Sequence, residues 1–179
     1  IVEEGNRLGW EWMGHGPNNS MLFTGMPEEA EKPIIDGVLQ TIAQATGKKC
    51  RGWLGPALTE TNVTLDLLRE AGVEYVADWC NDELPYEIKT RKGAITAMPY
   101  TLEVGDIPVF LQHGGSGEDF YNMIVDQFDT LYEEGGKRAR IMSIALHPTE
   151  AMHGDLGRIR PDDVVVVVDT GSRLEQSAS

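Results

Sequence analysis

Cysteine is scarce in this sequence. Cys50 and Cys80 are the only two among 179 residues. A disulfide framework needs more cysteines in a shorter chain, so the pair reads as two reduced, buried thiols. Long apolar runs are missing too. None approaches the roughly 20 residues that span a bilayer, and the five valines at 164–168 read as a buried strand. No signal-peptide pattern is visible in the first residues, and the expected setting is cytoplasmic. Basic residues are few: 15 Lys and Arg face 29 Asp and Glu, a net charge of −14. That field repels nucleic acid and anionic membrane, which excludes both as partners and favours small neutral or cationic ones. The sequence has no repeat, no low-complexity tract and no linker, so one domain over 1–179 is expected. It has no HExxH and no CxxC, so no zinc pattern stands by itself.

What remains is an alternation of strands and helices. A short strand at 9–13 leads into a polar turn at 14–26. A helix follows from Pro27 to Ala45, with Ile34, Ile35, Val38, Leu39 and Ile42 at helical spacing and Gly47 at its end. Strands are expected at 50–54 and 74–80, with a helix at 61–72 between them. Residues 81–93 read as a polar, proline-broken loop, and "AITAMPY" and "IPVFLQ" as short strands. Ser116 and Asp119 form a capping box for a helix at 117–134. An apolar strand at 140–147 ends in a histidine. Pro148, Gly154, Gly157 and Pro161 then interrupt the chain before the valine strand and a frayed tail. Such alternation predicts an α/β layered or barrel fold with parallel strands, whose ligand groups gather at strand C-termini.

Four polar clusters sit at predicted strand ends. His15, in "GHGPNNS", lies between glycines that let a ligand approach; the competing reading is a turn histidine bonded to nearby backbone. Arg51, in "RGWLGP", could orient a carboxylate, or serve in a structural ion pair. "DWCND" supplies Asp78 and Asp82, with Trp79 as a substrate wall, or merely a loop held by Asx turns. His147, delivered by an apolar strand, suits a general acid or base. "HGGSG" at 113–117 is neither a nucleophile elbow nor a phosphate loop, because Glu118 stands where glycine is needed and no lysine follows. His113 and His153 read as surface residues.

In this order the clusters resemble the polysaccharide deacetylase family, the NodB-homology or carbohydrate esterase family 4 fold. The resemblance is strongest to its cytosolic allantoinase-like and cyclic-imide-hydrolase-like branch. "GWEWMGHGPNNS", "RGWLGPALTET", "GVEYVADWCNDELPY", "MPYTLEVGDIPVF" and "SIALHP" carry it, over roughly residues 5–160. The resemblance implies a distorted (β/α) barrel and hydrolysis of carbon–nitrogen bonds other than peptide bonds. It also implies zinc or another divalent metal, held by an aspartate and two histidines four residues apart. The first histidine falls on His15 and the second on Asn19, an amide and a poorer zinc ligand than imidazole. Two alternatives follow: a metal held weakly at His15, or a metal-free site where His15 and Asn19 meet substrate directly.

By the same resemblance Arg51 orients the catalytic base and His147 is the general acid; Asp78 is expected to tune it, and Asn19, Trp53, Trp79 and Asp82 to line the substrate site. The family's first motif would lie upstream of the histidine turn, and only eight residues precede Gly9. The expectation is therefore a partial barrel lacking its first strands and shortened near 160–170. The expected function is an amide hydrolase acting on a small amide, imide or N-acetylated compound, in a homo-oligomer. The alternative is a non-catalytic binding or structural domain, or an inactive fragment, on the same scaffold.

Overall fold

The computed structural model describes residues 2–147 and 166–167. The chain divides after Met98 into two compact units. His153, the interrupted stretch after His147 and the C-terminal tail lie outside the described residues.

The first unit runs α1 (Val2–Arg7), β1 (Met13–Gly14), α2 (Glu28–Thr46), β2 (Gly52–Trp53), α3 (Thr64–Glu70), β3 (Tyr75–Val76), β4 (Tyr86–Thr90) and β5 (Gly93–Ala97). Its sheet has the order β1-β2-β3-β5-β4. The first four in that order are parallel, and β4 closes one edge antiparallel to β5. α2 starts with Glu28, Glu29 and Glu31, which suit the positive end of the helix dipole. It stops at Gly47, whose left-handed backbone (φ 71°) lets its N–H reach the Ala43 carbonyl. Ile35 from α2 joins Phe23, Trp53, Leu67, Leu68, Val73, Val76 and Ile95 in one buried cluster, with Ile34, Val38 and Leu39 packed against it.

Two glycines let aromatic rings lie directly on neighbouring strands. A Cβ on Gly14 would stand 2.4 Å from the Trp53 ring, and one on Gly52 would stand 2.3 Å from the Tyr75 ring. Neither ring has slack, because both strands are held in the sheet. Gly14→Ala is expected to cost about 1–3 kcal/mol through overpacking. Denaturant unfolding checks this; an unchanged midpoint would contradict the packing described.

Glu31 is a buried charge in the first turn of α2. It accepts hydrogen bonds from the hydroxyls of Thr61, at 2.7 Å, and Thr64. Thr64 Oγ1 in turn accepts from the Thr61 N–H at 2.8 Å, so one carboxylate organises the start of α3.

The expected loop at 81–93 is partly strand. In β4 the exposed Glu87 and Lys89 alternate with half-buried Tyr86, Ile88 and Thr90. Charge on the outward face masks a strand whose inward face packs on the core. Cys50 is buried as expected, whereas Cys80 is exposed beyond the end of β3.

The second unit holds a π-helical turn (Ile107–Gln112), α4 (Gly117–Gly135), β6 (Ala145–Leu146) and β7 (Val166–Val167). The expected strand at "IPVFLQ" is that helical turn. The Asp106 carboxylate accepts from the Ile107 N–H at its start, and Pro108 fits a first-turn position. α4 has the expected capping box between Ser116 and Asp119. Val104, Leu131 and Met142 form its small core, with Phe120, Ile124 and Ile144 against them. β7 pairs with β6 antiparallel rather than parallel.

Candidate active site

Parallel strands give the first unit's sheet two unlike edges. His15 follows β1, Leu54 and Gly55 follow β2, and Asp78 follows β3, so these residues share the C-terminal edge. A row of hydrogen bonds crosses it. His15 Nδ1 meets the Leu54 carbonyl at 2.5 Å, and the Gly55 N–H donates to Asp78 Oδ1 at 2.6 Å. A carbonyl only accepts, so His15 Nδ1 carries a proton. Asn19 is half-buried in the turn that follows.

Asp78 has a second carboxyl beside it. Its side chain hydrogen-bonds with Glu60, and Glu60 also accepts from the Trp79 indole N–H. Asp78 Oδ2 and Glu60 Oε1 are both buried with no other donor. Two carboxylate oxygens so placed repel, and one shared proton resolves the contact. Burial, then the Glu60 charge, push Asp78 up to about 8. Burial also raises Glu60, against the lowering effect of its bonds to Asp78 and Trp79. Both carboxyls are raised by burial, so the pair holds one proton between them. Glu60 had no signal in the sequence: it is one polar residue in "LTETN", and its role depends on the loop after β2 folding back over β3.

Arg51 lies at the other edge. It precedes β2 rather than following it, and its exposed guanidinium pairs with Glu11 at 2.9 Å and Glu74 at 3.4 Å. Glu11 and Glu74 precede β1 and β3, so the three form an ion-pair group at the strand N-termini. The structure does not bring Arg51 to the Asp78–Glu60 pair. Trp53 is also displaced from its expected role: it is fully buried, its ring 5.7 Å from that of Phe23, in the core beneath the edge. Trp79 is 41% exposed and does flank the acid pair. Asp82 is exposed and its Oδ1 accepts from the Leu84 N–H at 3.0 Å, an Asx turn.

The second unit carries a histidine–carboxylate dyad. Asp106 is fully buried. Its Oδ1 meets His147 Nδ1 at 2.7 Å and the Ile107 N–H at 2.8 Å, and its Oδ2 accepts the His147 backbone N–H. Three donors surround one carboxylate, two of them from the same histidine. The ring is fixed in orientation and in tautomer, with Nε2 left to exchange a proton. His147 was legible as the end of an apolar strand. Its carboxylate partner is Asp106 rather than the expected Asp78, whose own partners are Glu60 and the Gly55 N–H.

The implied divalent metal does not fit the donors present. Among the described residues no group of three or more His, Cys, Asp and Glu could hold a metal ion. His15 has Asn19 where a second imidazole would stand, and the nearby acids Asp78 and Glu60 are occupied with each other. No helix among the described residues is long and apolar enough to cross a membrane.

No family model matches the chain. A curated protein of Schizosaccharomyces pombe, described by inference as a polysaccharide deacetylase, is 30% identical over 142 residues, covering 70% of this chain and 44% of that protein. The crystal structure of a probable polysaccharide deacetylase from Pseudomonas aeruginosa PAO1 matches with a TM-score of 0.67 at 29% identity, over 76% of this chain and 46% of that one. The crystal structure of PuuE allantoinase matches with a TM-score of 0.67 at 28% identity, over 76% of this chain and 45% of that one. The chain spans less than half the length of each of these proteins.

Proposed function

The chain is a relative of the polysaccharide deacetylases, and on that premise we propose that it serves the hydrolysis of a carbon–nitrogen bond other than a peptide bond. The substrate class is a small linear or cyclic amide, an imide or an N-acetylated compound. The observation that carries the reading is the Asp106–His147 dyad: a buried carboxylate at 2.7 Å from an imidazole whose other nitrogen is left to move a proton.

Amide hydrolysis fails in water because an amide nitrogen leaves poorly unless it is protonated as the C–N bond breaks. His147 supplies that proton from Nε2, and Asp106 stabilises the imidazolium and holds its plane. Water adds to the carbonyl carbon and the C–N bond breaks; one proton of the water restores His147 and the other ends on the released nitrogen, so the products are a carboxylate and an ammonium, or a carboxylate and an amide from an imide. Within the first unit taken by itself, the Asp78–Glu60 pair and the Nδ1-anchored His15 are polar groups able to meet a ligand, with the exposed Trp79 ring as an apolar wall and Asn19 in the adjoining turn. Arg51, at the opposite edge, has a structural part.

A second reading, a binding domain on the same scaffold, is favoured by Arg51 itself. The residue expected to orient a catalytic base is engaged with Glu11 and Glu74 instead. The test is carboxylic-acid release, read by pH-stat and mass spectrometry, from a panel of cyclic imides, linear ureides and N-acetylated sugars, with and without chelator. Turnover of one class that survives chelation supports the hydrolase reading. Saturable binding of such a compound with no release under any condition favours the binding domain.

A further inference from the structure

α4 has more apolar surface than its own core uses. Phe120, Ile124 and Leu131 face the second unit's core. One strip around the helix, Tyr121, Val125, Phe128 and Tyr132 follow at spacings of four, three and four, which puts them on a common face. Tyr121 is 64% exposed, Phe128 47% and Tyr132 72%. The rings of Phe128 and Tyr132 stack, with centroids 5.8 Å apart and planes 20° apart, making a flat platform in solvent.

The charge beside this platform has one sign. Glu118, Asp126, Asp129 and Glu133 occupy the next strip around the helix, by the same 100° step. α4 contains no lysine, arginine or histidine. The helix thus presents core, aromatic strip and acidic strip in sequence around its girth. A second copy of this chain would bring an identical acidic strip and a further net charge of −14, so self-pairing is opposed. A basic amphipathic helix meets both strips at once: its apolar residues cover the rings, and its lysines and arginines reach the carboxylates and the ring faces.

We propose that the Tyr121–Phe128–Tyr132 face of α4 docks a basic amphipathic helix of a partner protein.

The probe is a fluorescent 18-residue amphipathic peptide of leucine and lysine, with a leucine and glutamate peptide of equal length as control. Binding is read by anisotropy against the full chain near physiological salt. The lysine peptide is expected to bind and the glutamate peptide not to. Phe128→Gln with Tyr132→Gln should weaken the lysine peptide about tenfold or more. Asp126→Asn with Asp129→Asn should weaken it several-fold and flatten its salt dependence. Circular dichroism and an unchanged unfolding midpoint confirm that the variants fold; either pair alone suffices for the test. Equal binding by the aromatic pair and by the parent protein would falsify the proposal, because attraction to net charge alone would then explain it. Failure of the parent to bind also overturns it. Sedimentation showing a parent dimer that the aromatic pair lacks would overturn it in favour of a second copy. None of these outcomes depends on turnover, so the docking surface stands or falls apart from the hydrolase reading.

Discussion

His147→Ala is expected to lower kcat/KM by about 10²–10⁴-fold, the range for loss of a positioned acid or base. Asp106→Asn is expected to lower it by a similar factor, up to about 10⁴-fold, as loss of the carboxylate behind an acid–base imidazole does elsewhere. The two effects should not multiply in the double variant, because Asp106 acts only through His147. Asparagine cannot copy the arrangement. Asp106 accepts on both oxygens, from the His147 ring, the His147 backbone and the Ile107 N–H. An amide offers one acceptor atom and one donor atom, so at least one N–H would face another N–H. That conflict is buried and should cost about 1–3 kcal/mol of stability. Kinetics should show the loss mainly in kcat, with KM nearly constant. Nitrogen-15 shifts of the imidazole should show Nδ1–H in the parent and a tautomer mixture in Asp106→Asn. Full activity in Asp106→Asn would remove the dyad from the chemistry and leave it a structural contact.

Asp78→Asn should change how stability depends on pH more than stability itself. In the folded protein Asp78 keeps its proton up to about pH 8, whereas its ordinary value is 3.8. Between those values the folded state binds a proton that the unfolded chain has released. Stability therefore falls as pH rises across this window and flattens above it. At about 1.4 kcal/mol per unit the accumulated loss is on the order of 3–6 kcal/mol, and the Glu60 carboxyl, also raised, titrates with Asp78 as a pair. Asparagine resembles the protonated acid: its oxygen accepts the Gly55 N–H and its amide donates to Glu60. Asp78→Asn should match the parent near pH 4 and exceed it by several kcal/mol at pH 9. Urea unfolding at four pH values settles this. Parallel curves for the two proteins would mean that no proton is shared.

What the sequence made legible was local. Pro27 and Gly47 bounded α2, and Ser116 with Asp119 opened α4, because a cap's chemistry lies within one turn of its helix. His147 stood out because an apolar strand must end where it leaves the sheet. The errors have a common source in contacts distant along the chain. β4 reads as a loop because its outer residues are charged, and only pairing with β5 shows which face is inner. "IPVFLQ" reads as a strand by composition, yet the Asp106 cap makes it helical. Arg51 was expected at the ligand edge, yet it precedes β2, which begins at Gly52 rather than residue 50, and in a parallel sheet the strand's start and end face opposite edges. Asp106 and Glu60 had no local mark, since their partners His147 and Asp78 come from distant strands. The family resemblance supplied the order of the clusters and no part of these pairings.

The Trp53 ring lies flat on Gly14, the residue just before His15, while Leu54, whose carbonyl takes the His15 proton, comes just after Trp53. The address of the imidazole is thus written in the core, by a contact between the residues immediately inside it on each strand. The turn beyond His15 adds to that address through Phe23, whose buried ring lies 5.7 Å from that of Trp53. Exposed residues of that turn, such as Pro17, Ser20 and Leu22, can then be exchanged without moving the histidine. A scaffold of this kind separates the choice of ligand from the upkeep of the site, which gives both natural divergence and laboratory evolution a place to work.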